Sequence, residues 1–471
     1  MAVRAVPPSA RVHLIPRRAL AIAVLLAIAG AACLAWSARA DSEPAAASAS
    51  APGPALATPL WSPRRVPGVF VTAAAAADLR RALPGIVAPY ASCVTVAGPD
   101  GPVAGFDERA PLAGASTQKL LVAAAALALM GPSYRFTTRA VTTAPLNDGV
   151  LAGDLVIVGG GDPMLTTATA PRTPQAPVTR LADLADAIVA AGVHRIDGTL
   201  VADDSRYERD RVVAAWTPAD DPGADIGALG ALVSDGGHTP DGFASTDPAL
   251  DTVQALASLL QARGVTIAGG AADPARAAPA AARAIARVTS APLTDIVGEM
   301  LTDSNNETAE LLTREIGYRR AHDGSTEAGV RAIRGVLARL GVPVAGVHLV
   351  DGSGLAHEDR ITCGTLMGVL ALAARPQLHA IGDGLAVASR TGTLAGRFAG
   401  SPLVDRLRAK TGHITGVVGL AGFIAPGARF AFVANGDFST DTGELLQDRV
   451  ATAIGTYLDA SGPPGLVPPP A

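Results

Sequence analysis

The chain has 471 residues, enough for about three domains of ordinary size. Its 38 basic and 42 acidic residues give a formal charge of −4, and because residues 1–40 hold five arginines and no acid, the remainder carries −9. This balance argues against a nucleic-acid-binding protein, which usually shows a basic excess. Only one apolar stretch could reach across a bilayer, so a polytopic membrane protein is excluded.

The basic residues are divided very unevenly between the two types. Of the 38, only Lys119 and Lys410 are lysine, and the rest are arginine. Arginine suffices wherever a surface needs a positive charge, whereas lysine supplies a compact ammonium that can lose its proton. The two lysines are therefore candidate functional residues, with survival by chance as the alternative.

The N-terminus has the pattern of an export signal. Basic residues precede the apolar run Ala19–Trp36, and Ala38–Ala40 offers small residues for cleavage. We interpret residues 1–40 as a signal peptide, with an uncleaved membrane anchor as the alternative because the run reaches the lower limit for a span. The segment 41–66, rich in Ala, Ser and Pro, is predicted to be a disordered linker, and 461–471 a disordered tail.

Cysteines and glycines give little support for a metal ion or a cofactor. Cys33 lies in the predicted signal, which leaves Cys93 and Cys363; an exported pair could form a disulfide, but no local feature pairs them, and we favour two separately buried thiols. The chain lacks C-x-x-C and H-E-x-x-H motifs, so no metal is expected. Gly159–Gly161 is followed by Asp-Pro instead of a helix, which argues against a dinucleotide site.

Apolar periodicity and turn residues predict the elements in chain order. The predicted helices are 72–88, 117–130, 250–263, 293–301, 307–316, 326–340 and 444–458, and the predicted strands are 93–97, 103–106, 151–158, 403–412, 417–424 and 429–435. The helix from residue 117 is apolar nearly all round and should be buried. Residues 135–288 mix short strands with one clear helix, and we interpret them as an insertion with its own small core that ends in the low-complexity segment 268–286. The segments 67–134 and 289–460 then form the main domain.

The first motif with chemical potential is Ser116-Thr117-Gln118-Lys119 at the start of the buried helix. Residues three apart share a helix face, so the Lys119 amine can reach the Ser116 hydroxyl. A serine is a weak nucleophile until a base takes its proton, and a lysine in a desolvated helix is suited to be that base. Alone the motif is a weak signal, because serine at a helix start is most often a cap.

Two further motifs follow at a distance. Ser304-Asn305-Asn306 lies in the predicted turn between two helices, where Ser and Asn are also ordinary turn residues. Lys410-Thr411-Gly412 lies in a predicted strand and contains the second lysine, and Gly412 is expected to let a ligand approach the strand closely. In combination and in this order, the three motifs match the joint signature of penicillin-binding proteins and serine β-lactamases.

On these motifs the sequence resembles the D-alanyl-D-alanine carboxypeptidases/endopeptidases among the low-molecular-mass penicillin-binding proteins, in the class with a large insertion. The resemblance covers about residues 70–460 and includes the stretches 351–355, 389–394 and 418–424. Ser304 lies 188 residues after Ser116, and a compact β-lactamase has no room for so much chain between these motifs. The sequence departs from the family pattern at Asn305, where Asp is usual, and at His413, where a small hydroxyl residue is commoner.

The resemblance implies a fold and a set of ligands. The expected fold is α/β (α+β): a penicillin-binding/serine β-lactamase-like transpeptidase domain, in which an antiparallel sheet is flanked by helices beside a helical part, with a large inserted mixed α/β region. The expected ligands are peptidoglycan peptides and β-lactams. No cofactor and no nucleic acid are expected, and the protein would contact a membrane only through an N-terminal anchor.

The resemblance also implies a role for each matched residue. The implied catalytic residues are Ser116, Lys119, Ser304 and Asn306, and the implied substrate-binding residues are Lys410, Thr411, Gly412 and His413. Lys119 takes the Ser116 proton, and Ser304 passes a proton to the leaving amine. The backbone N–H groups of Ser116 and His413 form the oxyanion hole, and Lys410 holds the terminal carboxylate.

Two alternative functions stay open at this point. A β-lactamase would share the motifs but would need a deacylating base near the ester, and a wall-binding scaffold would keep the fold with a silent site. An α/β-hydrolase nucleophile at Ser353 is rejected, because Gly352-Ser353-Gly354 is not a G-x-S-x-G elbow. The Ser, Asp and Gly clusters of 135–288 are interpreted as turns, and we expect this region to supply no catalytic group.

Overall fold

The computed structural model describes residues 67–168, 176–216 and 226–461. Within these ranges the α-helices are α1 Pro67–Val87, α2 Lys119–Met130, α3 Leu181–Ala190, α4 Pro248–Gln261, α5 Leu293–Thr302, α6 Asn306–Ala321, α7 Thr326–Arg339, α8 Cys363–Leu372, α9 Ala380–Asp383 and α10 Thr440–Ser461. The strands are β1 Ala91–Gly98, β2 Gly101–Phe106, β3 Thr137–Thr142, β4 Leu146–Asn147, β5 Val150–Leu151, β6 Leu155–Val158, β7 Leu165–Thr166, β8 Thr179–Arg180, β9 Arg195–Ile196, β10 Leu200–Asp203, β11 Thr266–Ile267, β12 Ala271–Ala272, β13 Arg283–Thr289, β14 Ala386–Val387, β15 Leu407–Ile414, β16 Val417–Ile424 and β17 Ala428–Asn435. The predicted signal, the predicted linker and all of the predicted tail except Ser461 lie outside the described residues. No helix in these ranges is long and apolar enough to cross a membrane.

A six-stranded antiparallel sheet, in the order β14-β15-β16-β17-β1-β2, forms the centre of the fold. Successive side chains of a strand point to opposite faces, and here both faces are buried. Val94 and Phe432 lie in a cluster with residues of α1 and α10. Cys93 and Val433 lie in a second cluster with residues of α2, α5, α6, α7 and α8. The sheet is therefore a layer between terminal helices and a helical part, which confirms the predicted fold class.

Helix α2 runs through the middle of the helical part. Its residues from Leu120 to Leu127 are at most 1% exposed, as expected for a segment that is apolar all round. The helix begins two residues later than predicted, because Ala115–Gln118 forms a 3-10 turn before the α-helical hydrogen bonds start at Lys119. This turn carries Ser116.

Residues 135–288 contain sheets and a hydrophobic cluster that are separate from the six-stranded sheet. Its five-stranded mixed sheet has the order β12-β10-β6-β3-β13, and α3 and α4 contribute to the same cluster. Every buried member of this cluster lies between Ala140 and Ala286. The members of this cluster thus pack against one another, whereas Tyr207 and Trp216 of the same region lie in a cluster with Leu311 and Leu355.

Several predicted elements differ from the observed ones in this region. The predicted strand 151–158 is divided at a turn around Gly153, and its halves join different sheets. Helix α3 was not predicted, although its buried residues Leu181, Leu184 and Ile188 have helical spacing. The low-complexity segment 268–286 contains β12 and the start of β13. Strands pair through their backbone hydrogen bonds, so a segment of small residues can join a sheet without a run of large apolar side chains.

Further differences lie in residues 289–460. Helix α8 was not predicted; Thr362 caps it by accepting a hydrogen bond from Thr365 N at 3.0 Å. The strand predicted for 403–412 begins only at Leu407 and continues to Ile414, because residues 403–406 form a turn. The hairpin of β16 and β17 through Pro426-Gly427 agrees with the prediction.

The prediction of two separate thiols is wrong, because Cys93 and Cys363 form a disulfide. Cys93 lies on β1 and Cys363 is the first residue of α8, and their Cα atoms are 5.9 Å apart. The two residues are 270 positions apart in sequence. Local sequence therefore gave no signal for the pairing, which depends on α8 packing against the sheet.

Candidate active site

The 3-10 turn before α2 exposes one hydroxyl from a buried segment. Ala115, Thr117, Gln118 and Lys119 are buried, whereas Ser116 is half-buried. Ala115 has a φ of +44°, and Thr117 Oγ1 donates to Gly114 O at 2.6 Å. Left-handed backbone at a non-glycine residue is strained and persists only where surrounding contacts impose it. Here it presents Ser116 at the surface of the helical part.

Lys119 is fully buried, and its amine lies at the centre of a hydrogen-bond network. Nζ donates to Ser116 Oγ at 2.6 Å, to Asn306 Oδ1 at 2.7 Å and to Ser353 O at 2.8 Å. Each of these three acceptors is a neutral oxygen. The structure thus brings Ser116, Lys119 and Asn306 together, and it places Lys119 where its neutral amine could accept the Ser116 proton.

The second motif forms the turn between α5 and α6. Ser304 has a φ of +62°, which turns the chain sharply into α6. Asn305 caps that helix: its Oδ1 accepts from Thr308 N at 3.0 Å, and its Nδ2 donates to Glu299 Oε1 at 2.7 Å. The departure of the sequence from the family pattern at Asn305 therefore affects a cap, and Asn306 is the residue that reaches Lys119.

The third motif lies on β15. Lys410 is fully buried, and its Nζ donates to Thr411 O at 2.8 Å; Thr411 Oγ1 donates to Thr393 Oγ1 at 2.9 Å. Burial, and then the nearby charge of Lys119, hold the pKa of Lys410 well below its usual value. His413 is exposed at the far end of the strand.

Gly412 is required by the packing of β15 within the protein itself. A Cβ at this position would lie 2.7 Å from Gly114 O and 3.1 Å from Thr117 N. The protein's own backbone thus already approaches this position closely, and the approach of a ligand to Gly412 stays a prediction. A glycine here lets β15 pack directly against the turn that carries Ser116.

The loop 351–356 supplies one of the three acceptors of Lys119, and a buried glutamate holds this loop in place. Glu310 Oε1 accepts from Gly352 N at 2.9 Å and from Ser353 N at 2.6 Å. The carbonyl oxygen of Ser353, in the peptide group that follows, accepts from Lys119. Glu310 is a buried residue of α6, so the helix that begins at Asn306 also fixes the third acceptor of the lysine.

A second buried carboxylate holds the rest of this loop. Asp351 Oδ1 accepts from Gly354 N at 2.7 Å and from Gln118 Nε2 at 3.1 Å. Its Oδ2 accepts from Ala356 N at 2.8 Å and from Trp216 Nε1 at 2.8 Å. Gln118 belongs to the serine-lysine motif, so the carboxylate ties this loop to the turn that presents Ser116.

The electrostatics of this loop depend on three buried carboxyl groups. Burial, and then the neighbouring charge of Asp351, raise the pKa of Glu310 to about 7. Burial and the same neighbour raise the pKa of Asp359 well above its usual value. This shift favours the neutral form of Asp359, which reduces the negative charge beside Asp351.

The sequence did not indicate two of these supporting residues. Asp351 lies in a stretch that resembles the family, but Glu310 and Trp216 carry no motif. Trp216 comes from the region 135–288 and packs in a cluster with Leu355 and Ala356. The expectation that this region supplies no catalytic group stays untested, but the region does supply a direct hydrogen bond to the loop beneath Lys119.

A cavity of about 1110 Å³ adjoins the motifs. Asp303, which precedes Ser304 in the sequence, lines this cavity. Thr393, which accepts a hydrogen bond from Thr411, lines it as well. Ser116 itself does not line this cavity. Among the residues that the structure describes, no group of three or more His, Cys, Asp or Glu side chains could hold a metal ion.

Comparison with known proteins identifies relatives along most of the chain. The D-Ala-D-Ala carboxypeptidase 3 (S13) family matches residues 74–239 and 224–454. A carboxypeptidase named DacB from Mycolicibacterium smegmatis is 33% identical over 369 residues, which cover 74% of this chain and 76% of that protein. A D-alanyl-D-alanine carboxypeptidase from Actinomadura sp. is 29% identical over 432 residues, covering 74% of this chain and 78% of that protein.

Solved structures agree on the fold. Penicillin-binding protein 4 (dacB) from Haemophilus influenzae superimposes with a TM-score of 0.69 at 22% identity, covering 80% of this chain and 99% of that one. A predatory endopeptidase from Bdellovibrio bacteriovorus, in complex with its immunity protein, gives a TM-score of 0.52 at 19% identity, covering 79% and 93%. With the family match over most of the chain, the sequence relatives and the three motifs, this chain belongs to the S13 family of D-Ala-D-Ala carboxypeptidases.

Proposed function

We propose that Ser116 is the nucleophile of a serine D-Ala-D-Ala carboxypeptidase that acts on peptidoglycan stem peptides and is acylated by β-lactams. The contact between Lys119 Nζ and Ser116 Oγ, 2.6 Å long, carries the proposal. The neutral amine takes the hydroxyl proton while Oγ attacks the carbonyl carbon of the penultimate D-Ala. Two catalytic groups within hydrogen-bond distance satisfy the geometric requirement for such a step.

The remaining motif residues complete the reaction in this proposal. The N–H groups of Ser116 and His413 stabilise the oxyanion, and Asn306 holds the substrate amide beside Lys119. Ser304 passes the proton from the lysine to the departing D-Ala nitrogen as the C–N bond breaks. Lys410 and Thr411 hold the terminal carboxylate. Water then attacks the ester, which releases the shortened peptide and restores the Ser116 hydroxyl.

We further propose that the protein works outside the cytoplasm and that its folded part has two divisions. The pattern of residues 1–40 supports export, and cell-wall substrates require it. The segments 67–134 and 289–460 would form the catalytic domain, and 135–288 the insertion; the separate hydrophobic cluster between Ala140 and Ala286 supports this division. Mass determination of the protein isolated from cells would show whether the first 40 residues are removed.

The test of the nucleophile is acylation by benzylpenicillin, followed by intact mass. Ser116→Ala should fold and form no adduct. Ser353→Ala is the matched control, because Ser353 is also beside Lys119 but is fully buried, and its variant should still be acylated. A penicilloyl adduct on Ser116→Ala would overturn the assignment.

The same experiment separates the alternative functions. Release of D-Ala from a peptide ending in D-Ala-D-Ala, together with a long-lived penicilloyl adduct, supports the peptidase. An adduct that is shed within seconds without D-Ala release would indicate a β-lactamase. Absence of both adduct and D-Ala release in the wild-type protein would indicate a scaffold with a silent site.

A further inference from the structure

A second cavity, of about 470 Å³, shares no lining residue with the candidate active site. Its wall combines the N-terminal part of β3, the loop after β10 and the last turn of α6. Its charged lining residues are Arg135, Arg139, Arg206, Arg319 and a single acid, Asp203. The whole chain carries a negative formal charge, so this local excess of arginine stands out.

One of the four arginines is neutralised inside the wall. Arg206 forms a fork with Glu315, at 2.9 Å from Nε to Oε2 and 2.7 Å from Nη2 to Oε1, and its guanidinium stacks 3.9 Å from the ring centre of Tyr318. Glu315 is fully buried and also accepts from Tyr134 at 2.8 Å and from Tyr207 at 2.9 Å. The negative charge of Glu315 is compensated by Arg206, so it does not neutralise the other arginines of the cavity.

Two further arginines have contacts that leave their charge uncompensated. Arg135 Nη1 donates to the backbone oxygen of Ser290 at 2.5 Å. The guanidinium of Arg319 lies 5.3 Å from the ring centre of Tyr134. Both side chains belong to exposed residues. In the described part of the chain no carboxylate pairs with either of them.

Arg139 is placed in an unfavourable electrostatic position. It lies directly opposite Arg287 in the antiparallel register of β3 and β13, and like charges at such positions destabilise a sheet. Among the described residues, Asp203 forms no ion pair with these arginines: its carboxylate accepts from Ser205 N at 3.0 Å, from Ser205 Oγ at 2.6 Å and from Ala278 N at 2.7 Å. The acid is thus held by Ser205 of its own loop and by the backbone of a separate segment.

We propose that this cavity binds a phosphoryl group. Guanidinium groups form forked hydrogen bonds to phosphate and carboxylate oxygens. Arg135, Arg139 and Arg319 come from three separate positions around one cavity, and a planar carboxylate has only two oxygens to share among them. A phosphoryl group has three acceptor oxygens and up to two charges. The hydroxyls of Thr137 and Ser205 line the same space and can donate as well.

The test uses the full chain and inorganic pyrophosphate as the probe, with binding measured by calorimetry at constant ionic strength. Arg139→Gln combined with Arg319→Gln should raise the Kd by about tenfold or more, because two of the three uncompensated guanidinium groups are lost. The matched control is Arg334→Gln with Arg339→Gln, which removes the same charge from exposed positions of α7 and should leave the Kd unchanged. Penicillin acylation of both double variants should match the wild type, which verifies their folding and separates this site from Ser116.

Three outcomes would overturn the proposal. One is no binding of pyrophosphate to the wild type, the second is equal loss in the two double variants, and the third is glutarate binding as tightly as pyrophosphate. Glycerol phosphate distinguishes the possible sources. If it competes with pyrophosphate, the site accepts phosphate esters; if it does not, the site is specific for free inorganic phosphates, and the phosphoryl assignment stands in both cases.

Discussion

Lys119 and Lys410 carry the same group in very different surroundings. Lys119 Nζ contacts a hydroxyl, an amide oxygen and a backbone oxygen, one of which belongs to the proposed nucleophile. Lys410 Nζ donates to the backbone oxygen of Thr411 on its own strand. In the proposed mechanism Lys119 must be neutral so that it can accept a proton, whereas Lys410 must stay charged. A substitution that preserves charge therefore distinguishes the two roles.

Lys119→Arg should abolish acylation by benzylpenicillin, whereas Lys410→Arg should only weaken it. Arginine stays protonated and cannot take the Ser116 proton, and loss of a general base costs about 10²–10⁴-fold. At position 410 a guanidinium can still hold a carboxylate, although with imperfect fit. The measurement is the second-order acylation rate constant of each variant, with thermal unfolding as the control for folding. Equal and modest losses at both positions would show that Lys119 is not the base.

The pH dependence of acylation gives an independent test of Lys410. Burial and the charge of Lys119 lower its pKa well below the usual value, so the ammonium becomes neutral as the pH rises through that lowered pKa. Attraction for the penicillin carboxylate is then lost, and the rate constant should fall on the alkaline side at a pH well below the ordinary pKa of lysine.

Lys410→Arg should move this alkaline decline to higher pH, since arginine stays charged. The second-order rate constant is the correct quantity because it reports ionisations of the free enzyme. An alkaline decline at the same pH in the wild type and the variant would assign the ionisation to another group.

At the scale of elements, the site depends on how α6 and the loop 351–356 are joined. Helix α6 supplies Asn306 at its first turn and Glu310 one turn later. Asn306 accepts directly from Lys119, and Glu310 binds the backbone N–H of Ser353, whose carbonyl oxygen accepts from Lys119. Trp216 is bound to the other side of the loop through Asp351. A residue of the proposed insertion is therefore in a position to influence the rate without touching substrate.

Trp216→Phe should slow acylation by about tenfold, because it removes a donor to a buried carboxylate, an interaction of about 1.5–3 kcal/mol. Tyr207→Phe is a matched control: Tyr207 lies in the same hydrophobic cluster and loses one buried donor, but its partner is Glu315, not Asp351. Both variants should unfold at lower temperature than the wild type. If the acylation rates of the two variants fall equally, the effect of Trp216→Phe is general destabilisation, and the prediction that Trp216 positions the loop 351–356 is wrong.

At the scale of the whole molecule, the sequence predicted the elements better than their pairing. The apolar run after Ser116 specified a buried helix because no face of it is polar. The residues of β16 and β17 specified a hairpin through Pro426-Gly427. By contrast, contacts such as Trp216 with Asp351, or Cys93 with Cys363, join residues more than 100 positions apart. No local periodicity encodes such contacts, since they follow from how separate layers pack.

The disulfide gives a prediction for the stability of the whole fold. It closes a loop of about 270 residues that contains Ser116, Ser304 and the region 135–288, and a cross-link over so long a loop restricts the unfolded chain strongly. Replacing both cysteines by alanine should lower the free energy of unfolding by about 3–5 kcal/mol. Denaturant titration of the wild type and the variant measures this difference. Reduced wild-type protein is the control, because it lacks the disulfide bond but keeps both cysteine side chains in place. Its free energy of unfolding should fall by most of the loss seen in the double alanine variant. The acylation rate per folded molecule should stay unchanged, since neither cysteine contacts the Lys119 network. Unfolding of the oxidised and reduced wild type at the same denaturant concentration would show that the bond contributes nothing to stability.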